Sequence, residues 1–136
     1  MKNFIKSIHV VGLLFFLPFI TVAQQTDSDL NRTIELNGST DQKTITITVE
    51  PGTVHLDIKI RSILEEGQLR VEIYDPNGEK QGTLSATSDP SSDSVREKVE
   101  GRLNKIAKDP MPGEWTVRLQ YMDAHGRVQL MSKLRL

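Results

Sequence analysis

Apolar and polar side chains alternate with a period of two along most of the chain beyond its first third. The clearest case is residues 44–49, in which isoleucine and valine alternate with threonine. The same alternation recurs in residues 54–61, 69–74, 115–121 and 128–136. Successive side chains of a β-strand point to opposite faces, so this period predicts strands with one apolar face and one polar face. Antiparallel sheets that bury only one face have this pattern.

Short polar segments rich in glycine, proline and aspartate separate these strands. They are residues 50–52, 65–67, 75–78 and 123–126. Because such residues usually mark a turn, we predict that residues 65–67 separate two strands and that residues 123–126 turn the chain. A weaker strand is predicted at residues 81–87. The pattern as a whole predicts an all-β fold, an antiparallel β-sandwich of jelly-roll or immunoglobulin-like type with about seven or eight strands.

Residues 95–108 fit two periods. Val99 and Leu103 agree with either a strand or a helix, Gly101 continues the strand alternation, and Ile106 continues the helical spacing. A mid-helix glycine costs about 1 kcal/mol relative to alanine, and the neighbouring segments are all β. These arguments favour a strand, although the composition of the segment alone fits a helix.

The N-terminus has the three-part pattern of a secretory signal peptide. Lys2 and Lys6 precede the apolar run of residues 8–20, and small residues lie at the two positions that a signal peptidase reads, ending at Ala23. The apolar run is shorter than the ~20 residues of a membrane-spanning helix. We therefore predict that residues 1–23 are a cleaved signal peptide, with an uncleaved anchor as the alternative. The protein is expected to be periplasmic, secreted or at the cell surface, with no membrane span after cleavage.

The composition of the sequence excludes several kinds of site and partner for the exported part. We predict a polar lead-in at residues 24–42, with room for a short first strand, and a β-sandwich domain at residues 43–136. The sequence contains no cysteine, which excludes disulfides and thiolate metal sites. Its 17 Lys and Arg and 18 Asp and Glu give a net charge of −1. Without an excess of basic residues, we expect no binding to nucleic acid.

Two polar residues on one predicted strand could act together. His55 and Asp57 are two positions apart and therefore share a face, which makes them candidate metal ligands or groups of a small hydrolase. The spacing supplies no further ligand. The sequence also contains neither the Gly-x-Ser-x-Gly motif nor the Ser-x-x-Lys motif of serine nucleophiles. We therefore predict that the protein is not an enzyme and has no catalytic residues.

The turn near the middle of the chain is the candidate ligand site. Asp75, Asn77 and Glu79 alternate in an oxygen-rich segment, and oxygen is the ligand that calcium prefers. Tyr74 is out of phase with the apolar positions before it, so its ring is predicted to be exposed and available to a sugar. Trp115 is in phase with its apolar neighbours and is predicted to pack in the core. Calcium is the one cofactor that these residues suggest, and otherwise we expect none.

Two segments resemble a known family. Residues 69–78 form a predicted strand that ends in an Asp-Pro-x-Gly turn, and residues 112–117 place Pro-Gly-x-Trp at the start of a late strand. Together they resemble the jelly-roll β-sandwich modules of secreted bacterial proteases, the pre-peptidase C-terminal and proprotein-convertase P-type domains. The resemblance covers residues 43–136. It implies a non-catalytic accessory module that aids secretion, stability or binding.

These observations lead to one functional expectation with alternatives. We expect an exported, non-enzymatic β-sandwich module that binds a protein partner or a polymer in the periplasm or at the cell surface. The apolar residues 128–136 are predicted to lie at a sheet edge, where they would support strand addition by a partner. The alternatives are a calcium- or carbohydrate-binding module and, further off, a small hydrolase that uses His55 and Asp57.

Overall fold

The computed structural model describes residues 28–89 and 98–136, which form one antiparallel sheet of five strands. The strands are β1 (Ser28–Val49), β2 (His55–Tyr74), β3 (Lys80–Ser88), β4 (Val99–Lys108) and β5 (Gly113–Arg135). The prediction of an all-β, antiparallel fold is therefore confirmed. The described residues include no helix with the length and apolar character needed to cross a membrane. The predicted signal peptide lies outside the described residues.

The segment with two periods is a strand where the structure describes it. β4 pairs with β2 along its whole length, from Val99 opposite Leu64 to Lys108 opposite His55. Its side chains alternate between partly buried and exposed. The interpretation as a strand is confirmed for these residues, because pairing with a neighbouring strand requires an extended backbone that a helix does not have. Residues 95–97 lie outside the described residues.

The strand order corrects the predicted sheet edge. β5 lies between β1 and β2, and the far side of β2 pairs with β3 along one half and with β4 along the other. The prediction that residues 128–136 form an edge is wrong, because residues 128–134 pair with β1 on one side and with β2 on the other. The outer strands of the sheet are β1 on one side and β3 and β4 on the other.

Two of the three long strands, β2 and β5, continue through polar segments that the sequence marks as breaks. Register shifts occur at Asn37–Asp41 in β1 and at Leu64–Gln68 in β2, both opposite the middle of β5. The predictions of a strand boundary at residues 65–67 and of a turn at residues 123–126 are wrong. A β-bulge adds a residue to a strand without reversing the chain, and the sheet consequently has five strands where seven or eight are predicted.

The bulges keep the apolar side chains on one face. In β2 the buried apolar residues are even-numbered up to Leu64 and odd-numbered from Leu69 onward. In β5 they are odd-numbered up to Tyr121 and even-numbered from Ala124 onward. One inserted residue shifts the alternation by one position, so the apolar face is continuous across each bulge. The buried residues on both sides of the bulges form one hydrophobic core. We call the opposite face of the sheet the outer face.

The sheet bends strongly along the line of bulges. Gly82 of β3 pairs with Ile73 of β2, and Leu103 of β4 pairs with Ile60 of β2. In a straight β2, Ile60 and Ile73 would lie about 40 Å apart. A Cβ atom placed on Gly82 would nevertheless lie only 3.4 Å from Leu103 Cδ1. The bulges therefore divide the sheet into two halves, which we name after their shorter strands. The β4 half contains β4 with residues 28–37, 55–64 and 125–135, and the β3 half contains β3 with residues 41–49, 67–74 and 113–122.

Candidate functional site

Two arginines lie side by side on the outer face of the β4 half. Arg61 of β2 is directly opposite Arg102 of β4, and on its other side it is opposite Gln129 of β5. The neighbours of Arg61 along the strand, Ile60 and Ser62, are buried, whereas Arg61 is exposed. Because directly opposed residues of antiparallel strands point to the same face, both guanidinium groups extend from the outer face.

A third arginine completes a shallow depression. Arg127 of β5 is opposite Ile63, two positions from Arg61, so it lies diagonally across from Arg61 on the same face. The three arginines line a cavity of about 290 Å³ together with polar side chains and backbone. Among the described residues, its other charged lining side chain is Glu100. The cavity is therefore open, polar and positively charged.

The three arginines form no ion pair within the part of the chain that the structure describes, and the carboxylate nearest in register is Glu35, directly opposite Arg127. By contrast, Arg70 of β2 binds Glu72 with an Nε–Oε1 distance of 2.7 Å. Like charges directly opposite each other weaken strand pairing. Arg61 and Arg102 are thus an unfavourable pair for the isolated protein and a favourable one for a bound anion.

The outer face of the β3 half carries a charge network around Tyr74. The Tyr74 hydroxyl donates a hydrogen bond to the Glu72 carboxylate, which also accepts from Arg70 Nε at 2.7 Å and lies 3.3 Å from Lys80 Nζ. The bond from Tyr74 and the nearby cations lower the pKa of Glu72, and the same bond raises the pKa of Tyr74. The Arg118 guanidinium lies 5.0 Å from the ring centroid. The ring predicted to be exposed is thus partly buried, with one face covered.

The other residues of the predicted ligand site form a self-contained turn. The carboxylate of Asp75 accepts N–H bonds from Asn77 and Glu79, both 2.9 Å long, and a bond from Gln81 Nε2 of 3.0 Å. Asp75 is 8% exposed, and the side chains of Asn77 and Glu79 are exposed. The structure therefore places all four predicted residues together, but the central carboxylate already holds the turn.

We expect calcium or EDTA to leave the unfolding temperature of the protein unchanged. The Asp75 carboxylate already accepts three N–H bonds, which leaves about one of its four acceptor sites for a calcium ion that needs six to eight oxygen ligands. Thermal unfolding in calcium, magnesium and EDTA measures this directly. A rise that is specific for calcium and reversed by EDTA would contradict the expectation and identify the turn as a calcium site.

His55 and Asp57, the predicted pair on β2, have few other potential metal ligands near them. His55 and Asp57 are partly buried on the outer side of the strand, and Asp57 Oδ2 lies 3.8 Å from Lys59 Nζ. Asp57 Oδ1 is buried and has no hydrogen-bond partner among the described residues. Residues 28–89 and 98–136 contain no cluster of three or more His, Asp or Glu side chains that could hold a metal ion. A metal at this pair would have two protein ligands.

The two segments that carry the family resemblance lie against each other. The turn at residues 75–78 ends β2 and Gly113 begins β5, and a Cβ atom placed on Gly113 would lie 3.0 Å from Pro76 Cβ. Trp115 is 4% exposed in the core, as predicted, and its Nε1 donates to the Met111 carbonyl oxygen at 3.0 Å. These contacts give both segments a structural role in joining the ends of two strands.

The arginine-lined depression is the site that the sequence does not reveal. Each of its arginines occupies an ordinary polar position of an alternating strand, and the three are far apart in the chain. Only the register of β4 and β5 against β2 brings them together. Neither models of known protein families nor curated protein sequences match this chain. A function must therefore be argued from the geometry.

Proposed function

We propose that this protein is an exported, non-enzymatic module that binds an anionic polymer of the cell surface in the arginine-lined depression. The observation that carries this proposal is the direct opposition of Arg61 and Arg102, neither of which forms an ion pair within residues 28–89 and 98–136. Guanidinium groups present planar sets of donors that match carboxylate, sulfate and phosphate oxygens. An anionic group between them replaces their repulsion with charge-assisted hydrogen bonds.

The surroundings of the depression favour a polymer with repeated charges over a small anion. Strand pairing places further basic residues on the same outer face, namely Lys59, Lys108, Lys133 and Arg135. The acidic residues on that face are Asp29, Glu35, Asp57 and Glu100. Because these further basic and acidic residues are equal in number, the positive excess of this face is centred on the three arginines of the depression. A chain with repeated negative groups can contact the depression and the lysines beside it at the same time, whereas a small anion contacts the depression alone.

We further propose that the sheet closes into a β-sandwich. Each of the three long strands would contribute one segment to each layer, and β3 and β4 would share the fourth place, which gives eight segments. The single core and the approach of Gly82 to Leu103 support this arrangement. Each outer face would then be free for ligands, which agrees with the accessory modules that residues 69–78 and 112–117 resemble.

Export is part of the proposal and rests on the sequence of residues 1–23, which lie outside the described residues. The positive start, the short apolar run and the small residues at Ala23 support a cleaved signal peptide. Cell-surface polymers of bacteria are accessible only after export. The location and the proposed ligand class therefore support each other.

A second candidate function follows from the outer face of the β3 half. The β3 half has a depression of about 460 Å³ lined by the amide side chains of Gln42, Gln68 and Gln120 together with Arg70. Amide groups donate and accept hydrogen bonds, as sugar hydroxyls require. Tyr74 lies on the same face, beside the Glu72 network. These residues favour an uncharged polysaccharide as the alternative ligand.

The test is a titration of the protein with charged and uncharged polysaccharides at two salt concentrations. We expect sulfated or carboxylated chains to bind, with affinity that falls as salt rises, because screening weakens exposed charge interactions. We expect no binding of an uncharged chain such as dextran. Binding that depends neither on the salt concentration nor on the charge of the polysaccharide would support the amide-lined depression as the binding site instead. Absence of binding to every anionic chain would contradict the proposal.

A further inference from the structure

One side of β1 has no strand partner among the described residues. β1 pairs with β5 along its whole length, and the strand order places it at the edge of the sheet. An edge strand exposes a row of unpaired backbone N–H and C=O groups, which is a template for another strand. At 22 residues, β1 is long for an edge strand.

Other edge segments carry features that oppose pairing. In the first half of β1, Arg32 is on the core side of the strand, opposite Leu130, and in β4 Lys105 is likewise on the core side, opposite Ile58. Charges that point inward on edge strands hinder the addition of a further strand. β3 is short and contains Gly82, which weakens strand pairing. Edge protection is therefore present over much of this sheet.

Residues 44–49 carry none of these features, and the nearest one is Lys43, which lies directly before the segment on the core side of β1. The segment contains no charged residue, no proline and no glycine, and it pairs with β5 without a register shift. Its residues alternate between two uniform sets, with threonine on the exposed side and isoleucine or valine on the buried side. Such a short, uncharged segment of high β propensity pairs readily with another strand.

We propose that residues 44–49 of two copies of this chain pair antiparallel across a two-fold axis and form a homodimer with a continuous sheet. Within the segment, registers centred on Thr46 or Ile47 place threonine opposite threonine and isoleucine or valine opposite isoleucine or valine. At the ends, Lys43 faces Val49 in the first register and Glu50 faces Thr44 in the second. A register displaced by one residue would place threonine against isoleucine and break both faces. The segment is thus complementary to itself, as an interface with two-fold symmetry requires, which selects a second copy as the occupant.

The first test is the mass of the protein in solution. We expect a dimer for the wild type and a rise of roughly tenfold or more in the dimer dissociation constant for Thr46→Lys with Thr48→Lys, which places like charges opposite each other in either register. The matched control is Ser85→Lys with Thr87→Lys, at exposed positions of the opposite edge strand. A monomeric wild type, or equal dissociation in both variants, would overturn the proposal.

The second test uses the absence of cysteine, and it remains decisive if the lysine variant fails to fold. Opposed residues of antiparallel strands have Cα atoms about 4.5–5.5 Å apart, which a disulfide spans. Under oxidation, Thr46→Cys alone cross-links if the axis passes through Thr46. A mixture of Thr46→Cys and Thr48→Cys chains forms mixed dimers if the axis passes through Ile47. Cross-linking in neither case contradicts the proposed pairing.

Discussion

Replacing Gly67 or Gly126 by alanine is expected to destabilise the protein by about 3 kcal/mol or more. Both glycines lie at the bulges and have positive φ angles, 91° and 147°. A Cβ atom on Gly67 would overlap the carbonyl oxygen of Asp123, and one on Gly126 would overlap that of Ile63. These oxygens belong to the backbone of a neighbouring strand. The clash can therefore be relieved only by moving that strand and the bend.

Two other glycines separate the clash from the cost of the backbone conformation. Gly52 and Gly78 have φ angles of 90° and 79°, and a Cβ atom on either would have no other atom within 4 Å. Alanine there should cost only about 1–2 kcal/mol, the strain of a left-handed conformation. Chemical denaturation of the four single variants measures the difference. Equal losses in all four would contradict a close approach of strands at the bulges.

The bend was the part of the fold that local pattern could not predict. Glycine and acidic residues at 65–67 and 123–126 are typical of both turns and bulges. The choice between them depends on pairing between distant segments, such as Leu64 with Gly126. A trace of the bulge is present in the sequence, because the apolar positions of β2 change from even to odd between Leu64 and Leu69. A simple alternation, as in residues 44–49, was sufficient to predict strands and their buried faces.

The candidate sites were also predictable only in part, because the contacts in them depend on the folded chain as well as on local sequence. The residues of the turn at Asp75 are neighbours in sequence, so their proximity follows from local spacing. The role of its carboxylate does not, since Gln81 and the backbone donors reach it only in the folded turn. Arg61, Arg102 and Arg127 come from three strands, and a shift of one residue in either pairing would move an arginine to the core face.

Replacing Arg61 and Arg102 together by glutamine is expected to have opposite effects on binding and on stability. Binding of an anionic polysaccharide should weaken by about 100-fold, which corresponds to about 2.7 kcal/mol for the loss of two charge-assisted contacts. The free energy of unfolding without polymer should rise by several tenths of a kcal/mol, because the repulsion between opposed charges is removed. Titration and chemical denaturation of the same variant measure the two effects.

The matched control removes the same charge from elsewhere on the molecule. Arg32 and Lys43 lie opposite Leu130 and Leu119 of β5, on the core side of β1. Replacing both by glutamine should leave polymer binding within a few-fold of the wild type, since neither is on the outer face. A loss of binding as large as that of the Arg61 and Arg102 variant would show that total charge, and not the depression, determines affinity.

The most direct test of whether the arginine pair binds an anion is thermal unfolding with and without a sulfated polysaccharide. The proteins compared are the wild type and the Arg61→Gln, Arg102→Gln double variant. A ligand that binds the folded state raises its stability in proportion to the logarithm of its excess over Kd. We predict that the variant melts higher without polymer and that the wild type melts higher with it. A variant that melts lower in both conditions, or a polymer that raises both proteins equally, would contradict an anion-binding role for these arginines.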